Sequence, residues 1–345
     1  MSWWRIILVF ILSFSVSSFA QAAGEGIDVV GSIPSWQTPE TVGVAALGRG
    51  SAGTANGDTT TGLYLNPASL RKYLNTYVFE GTFSFHPSAD SRVFNVALAD
   101  SKSNALLAAG LAYSFFSAPR EDDGESNVLL GHMVRLGLGM DWRRTLYVGI
   151  LLKYFYVSRP FKLDNYGINA DVGVIYEPHP WFSLSLVGYN LLYNDDNEIP
   201  ISMAGGIGIG GDTPFRASID GVVDFQSKGE PGYELRVGIQ YTFVDIFTIR
   251  AGYQLDQVRD RRPFTPWLDE TARELSHFVS VGIGLRYAMV GLDISFRQQL
   301  DAGTLSNNRY LGFSLQFWPY GTRPKRGQGG PRDIRAGSTQ YSGGR

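Results

Sequence analysis

One short pattern in this 345-residue chain has the glycine spacing of a phosphate-binding loop. Residues 206–211 read Gly-Ile-Gly-Ile-Gly-Gly and match the spacing of the dinucleotide-binding fingerprint. That fingerprint needs a helix directly after the glycines, because the phosphates bind at the helix N-terminus. Here the glycines lie inside a predicted strand with no helix after it. They are therefore predicted to allow a sheet to curve or another segment to approach the backbone closely.

Histidine, serine and acidic side chains are the other candidates for chemistry. His86, His132, His179 and His277 are scattered without metal-site spacing. The chain has no Cys and no Gly-x-Ser-x-Gly nucleophile elbow, and its formal net charge of −2 argues against a nucleic-acid surface. The acidic run 195–198 lacks the full ligand spacing of a calcium loop and is predicted to be a solvated outer loop. We predict no catalytic residue, no metal site and no cofactor.

The first residues have the features of a secretory signal. Arg5 is the positive residue, 6–16 is an apolar run, and Ala20-Gln21-Ala22 is a small-residue cleavage site. We therefore predict a signal peptide over residues 1–22. No later run approaches the ~18 apolar residues that a membrane helix requires. If the mature chain lies in a membrane, it must form a closed β-barrel.

From Tyr77 onward, apolar and polar residues alternate. In 233–243, for example, every second residue is apolar and the residues between them are polar or Gly. Apolar-outside, polar-inside alternation in long strands is typical of a membrane barrel, whereas a soluble sandwich has shorter strands and an apolar inner face. We predict an all-β fold, an antiparallel transmembrane β-barrel of about 14 strands over residues 76–318. The strands are predicted at 75–86, 91–100, 104–117, 128–141, 145–157, 166–177, 181–192, 200–210, 214–226, 232–243, 247–255, 276–288, 290–299 and 309–318.

The links between the predicted strands indicate how the barrel is oriented. Tight links at 142–144, 178–180 and 244–246 alternate with longer polar links, as short periplasmic turns alternate with outer loops, so both chain ends are predicted to be periplasmic. Aromatic residues cluster near the tight links, which predicts an interfacial girdle rather than ordinary strand enrichment. The predicted girdle residues are Trp142, Tyr176, Trp181, Tyr241, Phe243, Phe247, Tyr287 and Trp318.

The stretch before the strands is rich in Gly and Thr and has no sustained periodicity. It cannot form a core of its own and needs a surrounding structure to hold it. Short helical turns are predicted at 41–47 and 68–73. We predict a plug over residues 23–75, against the alternative of a flexible N-terminal arm.

This stretch resembles the N-terminal hatch of the FadL/TodX family of outer-membrane transporters for long-chain fatty acids and other hydrophobic compounds. The resemblance implies a plug inside a fourteen-stranded barrel and passive diffusion of a hydrophobic small molecule. It also implies contact with outer-membrane lipid. Separately, the last strand, residues 310–318, resembles the signal that the barrel assembly machinery reads, so contact with that machinery is predicted during biogenesis. Related PorV-type barrels, which serve protein secretion as docking partners, have the same pattern and keep a non-transporting function open. The matching residues are Gly48, Arg49, Gly53, Asp58, Asn66, Pro67 and Ala68.

The alternation also predicts which charged side chains face the lumen. They have mixed signs, so we expect them to pair with one another and with Arg49 and Asp58 of the plug, or alternatively to line a water-filled pore. Placing them inside avoids the roughly 2–4 kcal/mol cost of a lipid-facing Arg at the midplane. The predicted inward charges are Glu80, Arg135, Asp141, Lys153, Asp171, Asp220, Glu234, Arg236, Arg250, Arg286, Asp293 and Arg297.

Strands three and five depart from simple alternation. Strand five is apolar on both faces, so Tyr147, Leu151 and Phe155 are predicted to point inward, where they either line a pocket for an acyl chain or pack against the plug. Strand three is Ala-rich, and the family resemblance implies an inward kink near it that opens a lateral exit. Residues 319–345 are rich in Gly, Arg and Pro and are predicted to form a disordered periplasmic tail.

Overall fold

The computed structural model describes most of the strand region and the segment before it. The predicted signal peptide, Asp58, the link 257–275 and all but the first residue of the predicted tail lie outside the described residues. The described ranges are 43–57, 60–72, 76–86, 91–104, 106–122, 125–143, 145–158, 165–192, 201–211, 213–225, 232–256, 276–300 and 309–319.

Fourteen antiparallel strands form one closed barrel, in which each strand pairs with its sequence neighbours and β1 pairs with β14. The predicted all-β fold, strand number and strand order are confirmed. The strands are β1 Tyr77–His86, β2 Ser91–Asp100, β3 Leu107–Asp122, β4 Glu125–Arg143, β5 Leu146–Ser158, β6 Asn165–His179, β7 Phe182–Tyr189, β8 Ser202–Ile209, β9 Phe215–Asp224, β10 Gly232–Phe243, β11 Phe247–Asp256, β12 Ser276–Tyr287, β13 Val290–Gln299 and β14 Arg309–Phe317.

Alternation of side chains along each strand sets the two faces of the wall. In β9, Ile219 is exposed on the outer face, whereas Ser218 and Asp220 are buried on the inner face. Every charged residue that was predicted to face inward is buried or half-buried. We call the end with tight turns, such as 244–246, the turn end of the barrel, and the opposite end the loop end.

Strand lengths differ more than the sequence suggested. β3 and β4 have 16 and 19 residues, because their ladder continues as far as the pair Asp122 and Glu125. β7 and β8 have only 8 residues each. The ladders on both sides of β3 run without a register shift, and the inward kink expected near this strand stays a prediction.

The aromatic residues near the tight turns are exposed on the outer face, with one exception. Trp318 is buried, which corrects its assignment to the girdle. Its ring lies inside the barrel against Gly291, where a Cβ would come within 2.8 Å of the indole, and under the Arg286 guanidinium, 5.7 Å from the ring centroid. Because Gly291 has no side chain, the indole fills this inward space.

The described part of the segment before the barrel contacts inward side chains of the wall and forms two short lobes. The N lobe, residues 43–57, contains α1 (Val44–Leu47). The C lobe, residues 60–72, contains a 3-10 turn (Thr60–Leu63) and α2 (Ser69–Lys72). Both helices lie within the turns predicted from sequence. Among the described residues no helix is both long enough and apolar enough to span a membrane.

Replacing the outward-facing Ile219 with Arg tests the orientation of the wall. Ile219 lies at the middle of β9, where we expect a lipid-facing Arg to lower the free energy of unfolding by roughly 2–4 kcal/mol. The control is Val244→Arg at the turn end, where the side chain is 89% exposed and the expected cost is about 0–1 kcal/mol. Urea unfolding in lipid vesicles measures both, and equal costs would contradict the assigned orientation.

Candidate functional site

The N lobe is held to the barrel wall by the fully buried carboxylate of Asp220 on β9. This carboxylate accepts hydrogen bonds from the backbone N–H of Gly53 at 2.7 Å, from the N–H of Thr54 at 3.0 Å and from the Thr54 hydroxyl at 2.9 Å. Gly206 on β8 leaves room for this cluster, because a Cβ there would lie 2.0 Å from Thr54 Oγ1. Three donors of the lobe converge on this one side chain, so Asp220 is the principal latch of this lobe.

Short side chains of the same wall extend this attachment. Ser218 donates to Asn56 Oδ1 at 2.6 Å, and Asn56 Nδ2 donates to the Ala217 carbonyl at 2.9 Å. Ser183 donates to the Ala55 carbonyl at 3.0 Å. At the other end of the lobe, Ser295 of β13 donates to the Val44 carbonyl at 2.7 Å. The N lobe is thus hydrogen-bonded to the wall along its length.

Gly48, Arg49 and Gly53 of the predicted motif lie in this lobe. A Cβ at Gly48 would lie 3.1 Å from the Gly282 Cα, and a Cβ at Gly252 would lie 2.2 Å from the Arg49 carbonyl carbon, so backbone meets backbone there. Gly53 has φ 139°, a conformation that favours glycine, and faces the buried Arg49 guanidinium.

Asn66, Pro67 and Ala68 lie in the C lobe, where they bond to the N lobe and contact the wall at β5 and β6. Asn66 Nδ2 donates to the Thr54 carbonyl at 2.9 Å, and Asn66 Oδ1 accepts from the Ala68 N–H at 3.0 Å. A Cβ at Gly149 of β5 would lie 2.3 Å from the Ala68 nitrogen and the Pro67 carbonyl carbon. The motif therefore both joins the latch to the C lobe and rests directly on the backbone of β5.

The C lobe packs on a wall of small inward residues. Leu63 and Leu70 pack against β3 and β4, where a Cβ at Gly110 or Gly137 would lie 2.8 Å from one of their methyl carbons. We call the patch of small residues under these two leucines the alanine–glycine patch. It consists of Ala97, Ala99, Ala108, Gly110, Ala112 and Gly137.

Tyr147, Leu151 and Phe155 of β5 all point inward and are buried. Leu151 packs with the C lobe leucines, and Tyr147 packs with Ala68. Phe155 lies farther towards the loop end in a separate apolar cluster. We call it the loop-end cluster; its residues are Val93, Phe116, Met133, Phe155 and Val157.

A layer of polar side chains separates the loop-end cluster from the alanine–glycine patch. Arg135 donates to the Ser114 hydroxyl at 2.6 Å, and its guanidinium lies 5.1 Å from the centroid of the Tyr64 ring. Lys153 pairs with Asp171 at 2.5 Å and donates to Asn190. The two cations therefore lie two residues, or one inward-facing position, from the apolar cluster on its turn-end side, Arg135 below Met133 and Lys153 below Phe155.

The wall formed by β12, β13, β14 and β1 carries a stack of side chains that was not predicted from the sequence. The Arg297 guanidinium lies between the rings of Phe278 and Tyr310, 4.0 and 4.5 Å from their centroids. Tyr310 in turn stacks on His86, with centroids 4.2 Å apart. The four residues come from four adjacent strands, so only the strand register brings them together. Among the described residues, no group of three or more His, Asp or Glu side chains is placed to hold a metal ion.

Six of the predicted inward charges form ion pairs with one another, and Lys153 with Asp171 is one of these pairs. Arg236 binds Glu234 at 2.7 Å and Arg250 binds Asp293 at 2.7 Å. The C lobe contributes an ion pair of its own, between Lys72 and Glu177 at 2.9 Å. The predicted pairing with Asp58 falls outside the described residues.

Comparison with known proteins identifies the fold. No family model and no curated protein sequence matches the chain. Among solved structures, the CymD monoaromatic hydrocarbon channel matches with a TM-score of 0.60 at 12% identity, over 80% of this chain and 96% of that one. The Ralstonia pickettii toluene transporter TbuX matches with 0.59 at 11% identity, over 81% and 99%. A Pseudomonas aeruginosa FadL homologue matches with 0.57 at 12% identity, over 80% and 97%. The chain therefore has the fold of the FadL/TodX-type channels.

Proposed function

We propose that this chain is an outer-membrane channel through which hydrophobic compounds diffuse passively. The barrel has an apolar outer face suited to lipid, and it shares its fold with channels whose names specify toluene or monoaromatic hydrocarbons. In this proposal both chain ends are periplasmic, the turn end faces the periplasm and no covalent chemistry takes place.

One observation carries the proposal. The lumen of a membrane barrel is normally polar, yet the loop-end cluster is buried inside this one. Sites for hydrophobic ligands are mostly apolar with a few placed polar groups. The loop-end cluster, with Arg135 and Lys153 below it, has that composition and suits a hydrocarbon that ends in a carboxylate. We therefore propose long-chain fatty acids as the cargo.

Uptake of labelled oleate into vesicles tests this function. Vesicles that carry the protein are expected to take up oleate with saturable kinetics. Deleting residues 66–68 removes the Asn66 side chain that bonds the C lobe to Thr54 of the N lobe, so uptake is expected to lose its saturation. Empty vesicles are the control, and the absence of saturable binding in both proteins would exclude the transporter.

Replacing Arg135 with Gln separates a fatty acid from a neutral cargo. The variant keeps a donor towards Ser114 but loses the positive charge below the loop-end cluster. Because the cation is expected to bind the carboxylate, oleate affinity should fall by about ten-fold, or ~1.4 kcal/mol. Toluene uptake should be unchanged. An equal loss of oleate affinity and toluene uptake would contradict a fatty-acid site. If neither changes, Arg135 does not contact the cargo.

A second function, a non-transporting barrel that serves as a docking or secretion partner, is favoured by one feature. The polar layer that contains Asn95, Ser114, Arg135 and Lys153 interrupts the apolar surface between the loop-end cluster and the alanine–glycine patch. A hydrophobic molecule has to cross this layer, since the protein offers it no continuous apolar path among these described residues. In this case neither oleate nor toluene would be taken up.

A further inference from the structure

We infer that the alanine–glycine patch is itself a ligand site, now occupied by Leu63 and Leu70, and that the C lobe leaves it while the N lobe stays attached. The inference rests on the proposed passage of hydrophobic compounds. It specifies the binding site of the hydrocarbon body and the part of the inner segment that moves.

The patch is shaped to receive an apolar body. Its inward residues are Ala or Gly on three neighbouring strands, β2, β3 and β4, and it is bordered by Leu151 on β5. Leu63 and Leu70 fill the space left by the missing side chains, with methyl carbons 2.8–3.2 Å from the places where the Cβ atoms of Gly110 and Gly137 would lie. When these leucines withdraw, they leave a groove without polar side chains, which suits an alkyl chain or an apolar ring.

Replacing the C lobe by a ligand at the alanine–glycine patch costs little free energy. The contacts of Leu63 and Leu70 with the patch are apolar and non-directional. A hydrocarbon replaces them with contacts of the same kind, so the patch stays covered and dry. The main cost is that the withdrawn leucines expose apolar surface to water. This cost is offset by the apolar surface that the ligand buries in the patch.

The N lobe cannot be exchanged in this way. Its attachment includes directional hydrogen bonds to Asp220, Ser183, Ser218 and Ser295. A hydrocarbon offers no donor or acceptor, so displacing the N lobe would leave these buried groups unsatisfied, at about 1–3 kcal/mol each. Hydrophobic ligands therefore compete with the C lobe and not with the N lobe.

The polar contacts of the C lobe permit such a movement. Lys72 reaches Glu177 and Arg71 reaches the Ser101 carbonyl at 3.3 Å, both through the ends of long side chains that can follow a shift. Two buried hydrogen bonds have to break: the Tyr189 hydroxyl donates to the Leu65 carbonyl at 2.6 Å, and Asn66 Nδ2 donates to the Thr54 carbonyl of the N lobe at 2.9 Å. The net contribution of each is about 0.5–1.5 kcal/mol, and together they are fewer than the N lobe attachments.

Two engineered disulfides test the inference, since the chain has no Cys of its own. A Cβ at Gly139 would lie 3.1 Å from the Leu70 Cβ, and a Cβ at Gly208 would lie 3.2 Å from the Ala55 Cβ. Both separations are a few tenths of an ångström below the roughly 3.5–4.5 Å usual for a disulfide, so each bridge needs a small outward shift of the lobe. The pair L70C with G139C therefore locks the C lobe, and the pair A55C with G208C locks the N lobe in a matched way.

We expect the oxidised C-lobe pair to lose uptake of both oleate and toluene, and dithiothreitol to restore it. The oxidised N-lobe pair should keep the uptake of its reduced form. Uptake by both oxidised pairs, by neither, or by the C-lobe pair alone would overturn the inference. If the unmodified protein takes up neither probe, the proposed function fails instead.

Single cysteines provide a second measurement if a double variant does not fold. The labelling rate of L70C by a water-soluble maleimide should rise when oleate or toluene is added, because the C lobe leaves the patch. The labelling rate of A55C should stay the same. An unchanged rate at L70C, or a rise at A55C, would overturn the inference.

Discussion

Replacing Asp220 with Ala is expected to release the N lobe and make the barrel conduct ions. The substitution leaves the N–H groups of Gly53 and Thr54 and the Thr54 hydroxyl without their acceptor. Unsatisfied buried donors cost about 1–3 kcal/mol each, so we expect the free energy of unfolding to fall by about 4 kcal/mol. Because Asn66 joins Thr54 to the C lobe, both lobes should loosen. Urea unfolding and single-channel conductance in planar bilayers measure the two effects.

Asp293→Ala is the matched control for Asp220→Ala. Asp293 is also an inward, buried carboxylate, but it forms its ion pair with Arg250 of the barrel wall. Its removal should destabilise the barrel, since it leaves a buried guanidinium without its counter-charge. It should not raise conductance. Wild-type conductance in Asp220→Ala, or an equal rise in both variants, would show that Asp220 is not a latch.

Adding a single methyl group at Gly149 is expected to have an effect of similar size. In Gly149→Ala the new Cβ would lie 2.3 Å from the Ala68 nitrogen and the Pro67 carbonyl carbon. Both atoms belong to backbone, so no side chain can rotate away and the Asn66–Ala68 motif has to move. We expect a destabilisation of about 3 kcal/mol, the upper end of the usual range for overpacking. The chain 60–72 should also become sensitive to protease.

Gly221→Ala is the control for Gly149→Ala. Gly221 is also in a strand, but it faces outward and a Cβ there would have nothing within 4 Å. The change should alter the free energy of unfolding by less than about 1 kcal/mol, and with a stabilising sign, because Ala restricts the unfolded chain. If both alanine variants are equally stable and equally resistant to protease, close backbone contact does not hold the motif in place.

The glycines show which single-position roles could be predicted from the sequence. Residues 206–211 match a phosphate-binding fingerprint by spacing alone, and their place inside a strand argued for close contact instead. The structure puts Gly206 against Thr54 and Gly208 against Ala55 and Asn56. The Ala-rich inward face of β3 likewise leaves room for another segment, here Leu63 and Leu70. In the sequence, however, this face looks the same as a strand with weak alternation, so its role could not be predicted.

Other residues could not have been assigned from sequence. Asp220 is one inward carboxylate among several, and only the fold brings it to the N–H groups of Gly53 and Thr54. The stack of His86, Tyr310, Arg297 and Phe278 combines side chains from both ends of the barrel sequence. Trp318 was misassigned because its position near a turn end does not reveal that Gly291 leaves space for it inside.

The sequence by itself determined the local properties of this protein. Alternation with a period of two, tight turns and polar loops specify the strands, their order and the face on which each side chain lies, since these depend on near neighbours in the chain. Tertiary structure decided which inward residues meet one another and how the two lobes are held, by hydrogen bonds on the β9 side and by leucines against Ala and Gly on the β2–β4 side. Those contacts join residues more than a hundred positions apart in the case of Thr54 and Asp220. They depend on the closure and register of the barrel, which no local pattern specifies.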